Sequence, residues 1–230
     1  MPDEPSALEL VLSGDAGLYA IVRLSLAVSL GATLFAALLG APLGAVVAMS
    51  RFRGRQVVVV ALNALMGLPP VVVGLAVYLL LSRSGPLGEL GLLFTPTAMV
   101  VTQTVLVLPI IAALTRQTVE DLWREYRDEF AAMGVGRLHR IRTLLWDARF
   151  SLLTALLAGF GRAAAEVGSI IIVGGNIEGF TRTMTTTIAL ETSKGNLSLA
   201  MGLGIILIGI VLAVNIAAWA VRHFGARFEQ

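Results

Sequence analysis

The 230-residue chain has no cysteine, a single lysine, two histidines and only 14% charged residues. Without cysteine, disulfide frameworks, thiolate zinc sites, iron–sulfur clusters and thiol catalysis are excluded together. His139 and His223 lie too far apart to suggest a metal pair. A globular domain carries about 25% charged residues. At 14% charged and a mean hydropathy of +0.85, there is too little polar surface to coat a soluble sphere. Intrinsic disorder is excluded by the same numbers. No phosphate-loop pattern precedes Lys194, so the chain carries no ATP site of that kind. Nor is there a Ser/His/Asp or paired-carboxylate constellation, and nothing suggests an enzyme acting on a covalent bond.

What is present is apolar. The residues AVILMFWYC make up 57%, and 24 glycines add to them. A bilayer core needs about 20 mostly apolar helical residues. Five runs qualify, at about 24–49, 57–81, 98–115, 150–173 and 199–221. The spacing predicts an all-α integral membrane protein with about five transmembrane helices. An N-terminal tail covers 1–23, a single membrane domain 24–223, and a C-terminal tail 224–230. The first run is too long for a cleavable signal peptide and follows acidic Asp3, Glu4, Glu9 and Asp15 rather than a positive region.

Arginines orient the spans. Twelve of the 17 basic residues fall in the first connection (Arg51, Arg53, Arg55), the third connection (Arg116 to Arg149) and the C-terminal tail (Arg222, Arg227). The other side has Arg83, Arg182 and Lys194, with Arg23 at the mouth of the first helix. By the positive-inside rule the N-terminus is expected outside and the C-terminus in the cytoplasm. Small residues recur every four positions at Ala36, Gly40, Gly44 and Ala48, at Ala155, Gly159 and Ala163, and at Gly209, Ala213 and Ala217. Such stripes let helix backbones approach closely. Pro42, Pro69-Pro70 and Pro109 are expected to kink or break the first three spans.

The connection 116–149 is long for a link between two spans. Glu120 to Met133 reads as a charged, soluble helix with an apolar stripe of Val119, Leu122, Tyr126, Phe130 and Met133. Gly134-Val135-Gly136 should stop it, and a short basic helix from Arg137 to about Leu145 leads back to the membrane. The expected product is a helical hairpin with an exposed apolar and charged face. It suits docking to a partner, or lying on anionic headgroups.

Asp128-Glu129-Phe130-Ala131-Ala132-Met133-Gly134 resembles the "EAA" loop of ABC-importer permeases. Phe130 stands where that family usually has an alanine. Leu144-Leu145-Trp146-Asp147 stands for its usual isoleucine-x-leucine-proline. A closer resemblance lies downstream. Ala158 to Gly168, Gly174-Gly175-Asn176-Ile177, and Thr181-Arg182-Thr183-Met184-Thr185-Thr186-Thr187 are similar to the permease subunits of tungstate ABC importers, cousins of the molybdate and sulfate permeases. With Leu68-Pro69-Pro70-Val71-Val72-Val73-Gly74, the similarity spans nearly the whole chain.

The resemblance implies a type I importer permease in a prokaryotic inner membrane. It would pair with a second permease copy, two ATPase subunits and an external oxyanion-binding protein, and would bind no nucleic acid. ATP and Mg would sit on the ATPase, with no cofactor in this chain. Residues 128–134 would couple to that ATPase.

Two further sites follow from the residues. Arg162 and Glu166 stand one turn apart inside the fourth run. Intramembrane charges cost about 2.5–3.5 kcal/mol each, so the pair either neutralises itself or borders an anion path. Asn176, Arg182, Thr185, Thr186 and Thr187 belong to a segment, 174–198, expected to form an outer gate. A helix starting near Thr183 would favour negative charge at its amino end. Sulfate or another anion, an ion-coupled secondary transporter, and a membrane scaffold remain as alternatives.

Overall fold

The computed structural model describes residues 16–225; acidic Asp3, Glu4, Glu9 and Asp15 and the C-terminal Arg227 lie outside the described residues. Within a bilayer each backbone polar group must be satisfied internally, which for apolar runs of this length means helix. The helices are α1 (Ala16–Met49), α2 (Arg55–Met66), α3 (Pro70–Leu81), α4 (Pro96–Ala132), α5 (Arg137–Asp147), α6 (Arg149–Ala164), α7 (Gly168–Gly174), α8 (Met184–Lys194) and α9 (Leu197–Gly225). A single 3-10 turn at Gly88–Leu90 lies between α3 and α4. Among the described residues, three helices are long and apolar enough to cross a membrane alone, and up to five crossings result if each sharply bent pair counts as one.

The frame is α1 against α4. Gly31 faces Val100, Gly40 faces Leu108 and Ala112, and Gly44 faces Ala112 and Arg116, so these helices run parallel. A Cβ on Gly44 would meet the main-chain oxygen of Ala112 and lie 2.9 Å from the Arg116 nitrogen. Glycine is what lets these backbones touch. α6 runs antiparallel to α4, with Gly159 against Val107 and Ile111. Gly74 of α3 approaches Ser169 of α7 equally closely. The main core lies where α1, α3, α4 and α7 converge, around Val28, Val73, Val77, Met99, Ile170 and Val173. By contrast, Gly209 of α9 has open space beside it, so that stripe has no packing role within the described residues.

The prolines divide. At Gly67-Leu68-Pro69 the chain turns through 101° between α2 and α3. Pro70 then opens α3 at a position where a missing N–H costs nothing. Pro42 and Pro109 lie inside helices that continue through them. The expected separate charged helix is instead the extension of α4, which runs unbroken from Pro96 to Ala132. Leaving the membrane changes the solvent but asks for no change in backbone. The fourth run is broken rather than continuous, since α6 stops at Ala164 and α7 starts at Gly168.

Candidate functional site

The break at 165–167 gathers polar groups from five helices. Glu166 is 5% exposed. One carboxylate oxygen accepts from Arg162 at 2.8 Å, and the other from the Ser169 N–H at 3.1 Å, capping the start of α7. Thr185 of α8 donates its hydroxyl to the Glu166 main-chain oxygen at 2.8 Å. Gln103 of α4 donates to the Ala163 carbonyl at 2.8 Å. Freed backbone groups at a broken span survive only with such partners. Ser25 of α1 accepts the Met184 N–H at 2.7 Å, tying α8 to the same centre. Among these groups is a cavity of about 10 Å³, lined by Ser25, Ser29, Gln103, Glu166, Thr183 and Thr185. That is room for about one water. The Arg162–Glu166 pair is thus formed, with Arg162 the more exposed member.

The segment after α7 is a strained turn. Gly175 and Asn176 both adopt left-handed backbone, at φ 71 and 49, and so does Phe94 opposite them, at φ 62. For a bulky residue such as Phe94 that conformation is an outlier. Its N–H donates to Val173 O at 2.9 Å, and its ring lies against Gly175, where a side chain would collide. Thr181 then knots the turn, donating to Gly174 O and accepting from the Ile177 N–H. α8 opens with a capping box between Thr183 and Thr186. Thr187 donates to Thr183 O at 2.6 Å, so the threonine hydroxyls are engaged within the chain. Arg182 pairs with Glu178 at 3.4 Å, and its Nε is buried without a partner, as is Asn176 Oδ1.

Glu191, near the end of α8, receives Lys194 at 2.8 Å and Asn196 at 3.2 Å. The Lys194 hydrogen bond lowers its pKa from the usual carboxylate value. Burial opposes this, and the charges of Lys194 and Arg182 with the Asn196 bond reinforce it.

At the opposite end of the bundle lies the hairpin of α4 and α5. Most of its apolar stripe faces inward, while Met133 at the end of the stripe, Leu138 and the charged Asp128 and Glu129 keep an exposed apolar and charged face. Val119 and Phe130 are buried with Ala45, Ala48, Leu144 and Ala148, and Leu122 and Tyr126 are half-buried against them. Phe130 also stacks on Trp123 at 6.2 Å. The phenylalanine that replaces the usual alanine is therefore an anchor. Asp128, Glu129, Ala131, Ala132, Met133 and Gly134 are exposed around the tip, with Met133 at 64% and Leu138 at 81%. Gly134, at φ 63, makes the turn. Glu120 ties the hairpin to the first connection. It binds Arg55 at 3.0 Å and Arg124 at 3.1 Å, as well as Arg116. Arg55 also donates to Val47 O at 3.0 Å, and Arg137 to Ser50 Oγ at 2.8 Å.

The predicted residues thus fall into three places. Arg162, Glu166 and Thr185 share the broken-helix centre. Asn176, Arg182, Thr186 and Thr187 lie in or beside the strained turn. Residues 128–134 form the hairpin tip, with Phe130 turned inward. The sequence reading missed Gln103, Ser25 and Glu120 as site residues, and took Thr183 only as a helix start. A signal for the first two existed in the polar residues interrupting apolar runs, including Ser25, Ser29 and Thr33 at four-residue spacing.

Residues 40–229 match the family described as "Binding-protein-dependent transport system inner membrane component". The chain is 44% identical over 218 residues to a probable anion ABC transporter permease protein of Haloferax volcanii, covering 93% of this chain and 91% of the relative. It is 39% identical over 218 residues to the tungstate uptake system permease protein of Peptoclostridium acidaminophilum, covering 95% and 96%. Against the protein of the same description from Campylobacter jejuni it is 37% identical, covering 71% and 69%. With five apolar runs folded around an α1–α4 frame and a family match over most of its length, this chain belongs to the inner membrane components of binding-protein-dependent transport systems.

Proposed function

We propose that this chain is the permease subunit of an ATP-driven importer that carries a tetrahedral oxyanion, tungstate, into the cytoplasm. The observation that carries the substrate is the 39% identity, over 95% of the chain, to a tungstate uptake permease. Molybdate is the nearest competitor, being a tetrahedral dianion of nearly equal size. In this reading two copies of the permease form the pathway, two ATPase subunits bind the hairpin tips, and an external binding protein delivers the anion. ATP and Mg act on those ATPases, and this chain contributes force transmission and a path.

The geometry supports that division of labour. α4 is one continuous helix of 37 residues, about 55 Å at 1.5 Å per residue, joining the hairpin tip to the bundle centre. Asp128, Glu129, Ala131, Ala132, Met133 and Gly134 would meet the ATPase, with Phe130 fixing the tip beneath them. Displacement of α4 would reach the broken helix through Gln103 and Ala163. There Arg162 would border the anion path, and Glu166 would moderate its attraction so that a dianion is not trapped. Asn176, Arg182, Thr185, Thr186 and Thr187 would shape the outer gate. The arginine-rich hairpin end would face the cytoplasm, placing the N-terminus outside.

Tungstate uptake in cells lacking their own system tests this reading. Import should need this chain, its ATPase and the binding protein together, and should survive collapse of the membrane potential while ATP remains. Co-purification of the ATPase should be lost when Asp128, Glu129 or Gly134 is altered. Uptake that continues without any ATPase would overturn the reading.

A further inference from the structure

At the bundle end opposite the hairpin, a pocket of about 340 Å³ lies between the first turns of α1 and the turn before α8. Its walls include Gly17, Ala20, Leu24 and Phe180, and its charged groups are Arg23, Arg182 and Glu178. Arg23 has no hydrogen bond or ion pair among the described residues. Arg182 is mostly buried, and its Nε has no partner. The carboxylate facing Arg182 in the pocket is that of Glu178, at 3.4 Å, on a side chain 84% exposed. Charge-assisted hydrogen bonds to a carboxylate usually close to about 2.7–2.9 Å. Glu178 is thus held loosely and is free to leave. Glu191 also acts on Arg182 through its charge, but its own carboxylate is taken by Lys194 and Asn196. Among the described residues, two guanidinium groups therefore share one detachable acid beside apolar walls, where charge acts more strongly than in open water.

We propose that this pocket binds a tetrahedral oxyanion group through Arg23 and Arg182, with Glu178 occupying the anion's place until one arrives. Naming the transported tungstate as its occupant rests on the import reading above. A lipid phosphodiester offers the same chemistry. The site is a vestibule, separate from the Arg162–Glu166 centre, and the exchangeable carboxylate keeps it from holding a dianion too firmly.

The test is equilibrium binding of inorganic tungstate to the full-length chain at low ionic strength, with no nucleotide or partner. Arg23→Gln and Arg182→Gln should each weaken binding by about tenfold, the loss of one charged hydrogen-bonding partner. Glu178→Gln should tighten it by a few-fold. That substitution lies on an exposed side chain and leaves the fold intact, so the sign of its effect is decisive even if Arg182→Gln misfolds. The same pattern in phosphatidylcholine nanodiscs assigns the site to the free anion. Tungstate binding seen only after delipidation, with lipid retained in an Arg23- and Arg182-dependent way, assigns it to a lipid phosphodiester. No saturable binding, or equal binding by all four proteins, overturns the site. Lost import with intact binding would count against the transport reading alone.

Discussion

Gln103, on the third span, donates its side-chain N–H to the Ala163 carbonyl at 2.8 Å, at the point where the fourth span comes apart. The bond crosses between two antiparallel helices and joins the helix leading to the hairpin with the polar centre of the bundle. Gln103→Met keeps the volume and removes the donor. The Ala163 carbonyl keeps the Glu166 N–H at 3.2 Å, so the change costs the one bond, about 0.5–1.5 kcal/mol. The expected result is a lower thermal midpoint by tryptophan fluorescence, with uptake falling further than the amount of assembled protein. Unchanged uptake would show that α4 does not act through this bond.

Gly44 should tolerate no side chain. Its Cβ would enter the backbone of α4 at Ala112 and Arg116, neither of which can yield as a flexible side chain does. Gly44→Ala should destabilise by about 1–3 kcal/mol, the usual penalty for overpacking. Gly209→Ala, made inside α9 where nothing lies within 4 Å, should leave the thermal midpoint of the single chain no lower, since alanine favours helix over glycine.

Phe130 and Met133 should separate stability from coupling. Phe130 is 6% exposed and fills the space beneath the hairpin, so Phe130→Ala should cost about 3–5 kcal/mol and expose the hairpin to proteolysis. Met133→Ala removes an exposed side chain and should leave the fold unaltered while weakening ATPase co-purification several-fold. If both variants behave alike, the inward and outward roles are misassigned.

Glu191 carries a pH dependence. Because Lys194 above all holds its folded pKa below the ordinary value of about 4.3, the charged corner stabilises the protein above that value. The contribution disappears as pH falls through the lowered folded pKa. Glu191→Gln should therefore melt earlier than the parent at pH 7, and the difference should close on acidification below about pH 4. A difference that widens with acid would contradict the sign.

Much of the architecture was legible in the sequence because the bilayer makes length and hydropathy strict requirements. Local chemistry placed the Pro69-Pro70 break, the turn at Gly134 and the start of α8 beside Thr183, since proline, glycine and a threonine cap act on their own neighbours. The continuity of α4 was not legible. A shift from apolar to charged residues at Arg116 resembles a boundary in composition, yet it asks nothing new of a helical backbone.

The sequence by itself determined five apolar runs, an arginine-rich end, the position of the hairpin and the one-turn spacing of Arg162 and Glu166, all set by residues close together in the chain. Only the tertiary structure decided that the fourth run opens at 165–167. Ala165 favours helix, and no proline or glycine stands within those three positions. The opening is held by Gln103 and Thr185, which come from other helices, while Glu166 caps the restart. The same holds for Phe130, whose inward orientation depends on Ala45 and Ala48 being small enough to receive it. Such partners lie tens of residues away, and packing rather than local preference brings them together.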